Sequence, residues 1–182
     1  FDTEKLTWMN GVYIRALSIP ELASRIQPFL ERPQKEGGLS DDVARPLDRN
    51  FLLQLAPLVQ ERLKHLSDAT DMLRLFFENI IVYEPITLIQ KGATAEQTVF
   101  ALNSTIQQFE AVKTWDSVEL ETIVRSLLNE LGMNPGQLFG TIRLAVTGKS
   151  VSPPLFETIH ALGRDRSLEG LRSAVNALSP TM

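Results

Sequence analysis

Arg143, Gly148, Lys149 and Ser150 are the first residues of this chain to suggest chemistry. Gly148-Lys149-Ser150 has the ending of a phosphate-binding loop, but that motif needs a glycine where Arg143 stands, and Gly140 lies too far upstream. No strand pattern precedes the segment, so ATP binding is not expected there. Nucleophilic and metal chemistry fare no better. With Cys 0 there is no thiol, His65 and His160 are too few for a histidine-rich zinc site, and no Ser-His-Asp arrangement is marked by spacing. Glu119 and Glu121, like Asp41 and Asp42, suit helix caps and solvated faces better than an acid–base pair. What remains is arginine, whose guanidinium offers a rigid fork of donors and no acceptor. By residue type alone, Arg143 is a solvated helical arginine, Arg62 pairs with Glu61 or Asp68, and Pro153 is a first-turn proline.

The elements that must position these residues are helical. Ser18-Ile19-Pro20-Glu21 starts a helix with Leu22, Ile26, Phe29 and Leu30 on one stripe, ending near Pro33 and Gly37-Gly38. Ser40-Asp41-Asp42 is read as the cap of a further segment interrupted by Pro46, followed by an amphipathic helix carrying Phe51, Leu52, Leu55, Leu58, Val59 and Leu63. Ser67 opens another helix through Met72, Leu73, Phe76 and Phe77, and Ile80-Ile81-Val82-Tyr83 is read as a buried connector. Thr94 with Gln97 and Asp116 with Glu119 have capping-box spacing, each before a long helix. Asn134-Pro135 and Ser152-Pro153 mark two more helix starts, with Gly148 and Gly163 as the matching exits, and a last helix runs from about Ser167 to Leu178. Trp8, Met9, Tyr13 and Ile14 are assigned to the core side of the first helix, leaving Lys5, Asn10 and Arg15 outside. The prediction is an all-α fold: a compact helical bundle or cage with two helical subdomains, 1–84 and 85–182.

Composition limits the function classes. At 182 residues, 43% hydrophobic and 22% charged, the chain can bury a core and is neither disordered nor fibrous. It has no apolar run long enough for a membrane span and no signal-peptide pattern at its start, which predicts a soluble protein with no membrane partner. The absence of cysteine fits a reducing, cytoplasmic setting. The net charge of −4 opposes a general nucleic-acid binder, yet from Arg143 onward five bases face three acids, leaving room for a local basic face.

Two separated blocks carry a family resemblance. Phe1-Asp2-x-x-Lys5-Leu6-x-Trp8-Met9-Asn10-x-x-Tyr13-Ile14 resembles the segment that follows the lysine-rich signature loop of glutamyl-tRNA synthetases, which are class I aminoacyl-tRNA synthetases. Arg143, then Thr147-Gly148, then Ser152-Pro153-Pro154-Leu155-Phe156-Glu157 and Leu162-Gly163-Arg164-Asp165-Arg166 resemble the anticodon-binding end of the bacterial-type enzymes. With no initiator Met before Phe1, the chain reads as a piece of a longer protein.

The resemblance implies a division of labour. Arg143 would meet the first anticodon base, Ser152, Pro153 and Leu155 would line the same pocket, and Arg62 would contact the third base. That base is a cytosine in glutamate tRNA and a guanine in glutamine tRNA, so an acceptor-free guanidinium implies a discriminating synthetase. Lys5, Asn10, Arg15, Lys149 and Arg164 would touch the tRNA backbone, positioning without reading sequence. Subdomain 1–84 would contain the stem-contact and first anticodon-binding helices and 85–182 the C-terminal anticodon-binding helices. The His-Ile-Gly-His-like and Lys-Met-Ser-Lys-Ser-like signatures are missing, so ATP with Mg belongs to a separate catalytic domain, and this piece alone is expected to be non-catalytic. The implied partners are tRNA(Glu) and that catalytic domain, with no DNA. A helical protein–protein interaction module is the alternative reading; a hydrolase has no coherent constellation to support it.

Overall fold

The computed structural model describes residues 2–79 and 81–179; Phe1 of the opening block and Ile80 of the connector lie outside the described residues. Among the described residues there are nine α-helices and no strand, as the periodicity predicts: α1 Thr3–Ala16, α2 Ile19–Glu31, α3 Arg49–Gln60, α4 Asp68–Phe77, α5 Ala95–Ala111, α6 Ser117–Leu131, α7 Pro135–Thr147, α8 Leu155–Leu162 and α9 Arg164–Leu178. They fall into two units, 1–80 and 81–182.

In the first unit, α2 packs on α3 and α4. Leu22, Ile26 and Leu30 of α2 and Leu52, Leu55 and Val59 of α3 are fully enclosed, each at a spacing of three or four residues. Burying a side chain of this size contributes about 1.5–3 kcal/mol. The rings of Phe76 and Phe77 meet Phe51 edge to face at 6.4 and 5.6 Å. Ser40-Asp41-Asp42 caps no helix. Instead the segment before α3 wraps around Arg45, whose guanidinium donates to the carbonyls of Glu31 (2.9 Å), Val43 (2.9 Å) and Leu39 (3.0 Å). Those carbonyls are satisfied by a side chain rather than by helical turns, and Asp48 caps α3 by accepting from the N–H groups of Asn50 and Phe51.

The first helix departs from expectation. Only Gly11 and Ile14 of α1 are buried. Trp8 is 66% exposed and Tyr13 69%, with Leu6, Met9 and Val12 also open. The helical period is present, but the inward strip is one turn wide, and the aromatic residues lie outside it.

In the second unit, α9 lies against α5 and α7, and α6 against α8. Gly170 is where α9 meets α7: a Cβ there would stand 2.7 Å from the carbonyl oxygen of Ala145, so only glycine permits the approach. Reciprocal capping boxes open α5 (Thr94 with Gln97) and α7 (Asn134 with Gln137). Asp116 caps α6 by accepting from Val118 and Glu119 N–H, with no return bond from Glu119 among the described residues. The last two helices share one residue: Gly163, at φ 82° and ψ 165°, ends α8 and begins α9. The connector after Ile80 is not buried, since Val82 is 77% exposed. Its Ile81 is the residue that packs, approaching Gly148 and Gly170.

Candidate nucleic-acid interface

In the first unit, the chain leaves α3 in a turn whose N–H at Arg62 donates to the carbonyl of Val59 at 2.8 Å. Leu63 is fully buried, while Arg62, Lys64 and His65 on either side are exposed. Two anchors hold the turn. Asp68 accepts from the N–H groups of Lys64 (3.1 Å) and His65 (2.8 Å), and Asn10 of α1 donates through Nδ2 to the Lys64 carbonyl. Asp68 is thereby committed to backbone, and neither it nor Glu61 pairs with Arg62. The Arg62 guanidinium makes no hydrogen bond or ion pair among the described residues.

Beside this turn, Thr3, Glu4, Thr7, Trp8, Arg15 and Lys64 line an open cleft of about 460 Å³. Trp8 and Arg15 share a helical face, so an exposed indole is flanked by two cations, with Lys5 exposed on the same helix. Such a surface suits a polyanion bearing flat rings. Asn10, expected on the outer face as a backbone contact, is instead spent on the turn.

In the second unit, Arg143 stands near the end of α7, half-buried with its Nε enclosed. The Thr147 hydroxyl lies 2.7 Å from the Arg143 carbonyl and accepts from the Lys149 N–H at 3.1 Å, while Gly148 supplies the left-handed exit at φ 69°. Gly148-Lys149-Ser150 therefore closes a helix, whereas a phosphate-binding loop opens one. Lys149, Ser150 and Val151 are exposed.

The residues after them turn inward. Ser152 is 7% exposed and Leu155 4%, and Pro153 is buried. The Ser152 hydroxyl donates to the Pro153 carbonyl at 2.9 Å, so α8 begins two residues later than Ser152-Pro153 predicts, at Leu155 after Pro154. These three residues give a base little surface, and their visible effect is to shape the turn that displays Lys149 to Val151. Phe156 packs edge to face on Phe139 at 5.4 Å, and Arg125 lies over Phe139 at 5.5 Å while pairing with Glu121. Arg164 is also drawn into the fold: it donates to the carbonyls of Glu110 and Val112 and lies 5.3 Å over the Trp115 ring.

A family profile described as "Anticodon binding domain" matches residues 15–175. The chain belongs to the anticodon-binding domain family. Among relatives of this anticodon-binding domain, a glutamate–tRNA ligase of Roseiflexus castenholzii is 43% identical over 98% of the chain and 34% of its own length. A glutamate–tRNA ligase of Chloroflexus aurantiacus is 42% identical over 98% of the chain and 35% of its own length. The chain thus spans about a third of the length of the curated relatives it matches. A solved glutamate tRNA ligase from Elizabethkingia meningosepticum has the same fold, with a TM-score of 0.76 at 15% identity over 98% of the chain and 33% of that structure.

Sequence reasoning missed Trp8 as surface and Asn10 as a support. The signal for Asn10 is absent from local spacing, because its partner Lys64 is 54 residues away.

Proposed function

We propose that this chain is the part of a glutamate–tRNA ligase that reads the anticodon loop of tRNA(Glu), with Arg62 and Arg143 as its two base-reading arginines. The observation that carries the proposal is the Arg62 turn: an exposed guanidinium without a partner among the described residues, on backbone fastened by Asn10 and Asp68. Anticodon bases are unstacked, so their Watson–Crick edges are open to side chains. Cytosine offers a carbonyl and a ring nitrogen to a guanidinium; guanine's edge presents N–H groups there, and two sets of donors would face one another. The protein accordingly favours glutamate tRNA over glutamine tRNA. Arg143 meets the first anticodon base, on a turn shaped by Ser152, Pro153 and Leu155, with Lys149 toward phosphate. Lys5, Arg15 and the Trp8 cleft contact the tRNA away from its anticodon.

The relatives' lengths support a larger parent that joins glutamate to tRNA(Glu) at the expense of ATP in the cytoplasm. The open apolar face of α1 is the surface that suits docking with that parent's catalytic domain. ATP and Mg are assigned to that catalytic domain, and Gly148-Lys149-Ser150 lies at a helix exit here. No helix of the described residues is long and apolar enough to cross a membrane.

The test is titration of the chain with tRNA(Glu) at several salt concentrations, followed by nucleotide-resolution footprinting. Salt-dependent binding with protection of the anticodon loop is expected. Equal protection of unrelated tRNAs, unaffected by Arg62→Ala or Arg143→Ala, would refute the reading.

A further inference from the structure

Gln60, the last residue of α3, has no role in the account above. Its side-chain amide reaches the end of α1, where it donates to the main-chain carbonyls of Ile14 at 3.1 Å and Leu17 at 2.8 Å, with that of Arg15 at 3.5 Å. All three are acceptors, so the amide must turn its nitrogen toward them. Carbonyls at the close of a helix have lost the N–H groups of a following turn, and here a donor from a different helix serves them. Gln60 is half-buried, so water replaces these bonds poorly when they are lost.

The place of Gln60 in the chain gives the bonds their consequence. Gln60 stands two residues before Arg62, and Lys64, whose carbonyl accepts from Asn10, stands two residues after it. Asn10, Ile14 and Leu17 follow one another at spacings of four and three, which puts them on one side of α1. The backbone 60–64 is thus held to a single strip of α1 at both ends, with Arg62 at its midpoint. Apolar burial adds little to this attachment, because α1 buries only Gly11 and Ile14. Between the two anchors the turn is tight: the N–H groups of Arg62 and Leu63 both donate to the Val59 carbonyl, at 2.8 and 3.2 Å.

We propose that Gln60 is a positioning residue for base discrimination: by fastening the end of α3 to α1 it fixes where the Arg62 guanidinium stands, and with it the preference for cytosine at the third anticodon base. The inference rests on the role of Arg62 given under Proposed function. A hydrogen bond weakens steeply as its angle departs from linear, whereas attraction to phosphate depends little on direction. A guanidinium on a loosened turn therefore still holds RNA but no longer tells one base from another. Loss of the Gln60 anchor costs selectivity more than general affinity. A glutamine that served the fold alone would, when replaced, lower stability and leave the selectivity of the folded protein as it was.

Anticodon-stem hairpins carrying cytosine or guanine at the third anticodon position are titrated against the wild-type chain, Gln60→Met, Gln60→Glu and Arg62→Ala, at a temperature where circular dichroism shows the proteins compared to be fully folded. Methionine matches the length of glutamine without a donor. Glutamate keeps the shape without a donor, and its added charge acts on both hairpins alike and cancels in their ratio. The wild type is expected to favour cytosine by about tenfold, and Arg62→Ala to abolish the preference. Gln60→Met and Gln60→Glu should each reduce the ratio by at least about threefold, the scale of one hydrogen bond. Hydrogen exchange at the Arg62 and Leu63 amides should quicken in both. In the Arg62→Ala background, Gln60→Met should weaken the cytosine hairpin no further. A wild-type ratio in the Gln60 variants, or unaltered exchange at those amides, overturns the positioning role and leaves the reading of Arg62 standing. If the wild type shows no preference, or Arg62→Ala retains it, the reading of Arg62 fails and this inference fails with it.

Discussion

Asn10 of α1 donates its side-chain amide to the main-chain carbonyl of Lys64, fastening the N-terminal helix to the turn that displays Arg62. A residue that by its place on a helix looks like an outward contact for a ligand thus acts as a support for one.

Asn10→Ala is expected to cost about 1 kcal/mol of stability, the scale of a lost hydrogen bond. It should also weaken tRNA(Glu) binding several-fold by loosening the turn. Hydrogen exchange should quicken at the amides of Lys64 and His65, while those of α3 keep their protection. Unchanged exchange there would contradict the support role.

Arg62→Ala should erase preference at the third anticodon base. The wild type is expected to favour cytosine over guanine there by at least about tenfold, the discrimination of a good base contact. The variant should bind the two hairpins alike. An equal loss for both, with the preference intact, would instead make Arg62 a phosphate contact.

Gly170→Ala tests the contact between α9 and α7. With 2.7 Å between the new Cβ and the Ala145 carbonyl, the helices must separate, at a cost of about 1–3 kcal/mol for an overpacked site. Thermal denaturation followed by circular dichroism reads the shift, and a melting temperature equal to wild type would show that the helices part freely.

Arg164→Ala separates structural from RNA-binding arginines. Its guanidinium serves the carbonyls of Glu110 and Val112 and the Trp115 ring, so its removal should lower stability. At a temperature where the variant is fully folded, tRNA affinity should stay within twofold of wild type, a small change beside the loss expected for Arg143→Ala.

Glu21 carries a pH signature. The Ser18 hydroxyl and then the Ser18 backbone N–H donate to its carboxylate and hold its pKa below the usual carboxylate value. A lowered folded-state pKa means that the stabilisation is present above the unfolded pKa and is lost as pH falls through the folded one. Glu21→Gln should therefore flatten the acid limb of stability against pH, a difference visible in paired acid titrations.

The starts of α5 and α7 are legible in Thr94-Gln97 and Asn134-Pro135 because a cap is a local bargain between neighbouring residues and backbone donors. The same holds for the stripes of α2 and α3, whose partners lie within the chain. Trp8 and Tyr13 are illegible for the opposite reason: helical spacing shows that they share a helix, and nothing local shows that only Gly11 and Ile14 of that helix are buried. Ser152-Pro153 misleads because the serine hydroxyl bonds to the next carbonyl, delaying the helix to Leu155. The packing of Ile81 depends on Gly148 approaching a segment over sixty residues distant, which no window of sequence contains.

Gly163 joins α8 to α9 with no spacer, at backbone angles open essentially to glycine alone. Chain length at this corner is consequently frozen. One inserted residue would roll α9 by about 100° and carry Leu168, Leu171 and Ala174 from the interior into water. A change of chain length is therefore borne better in a connection that has residues of its own, such as the one between α2 and α3.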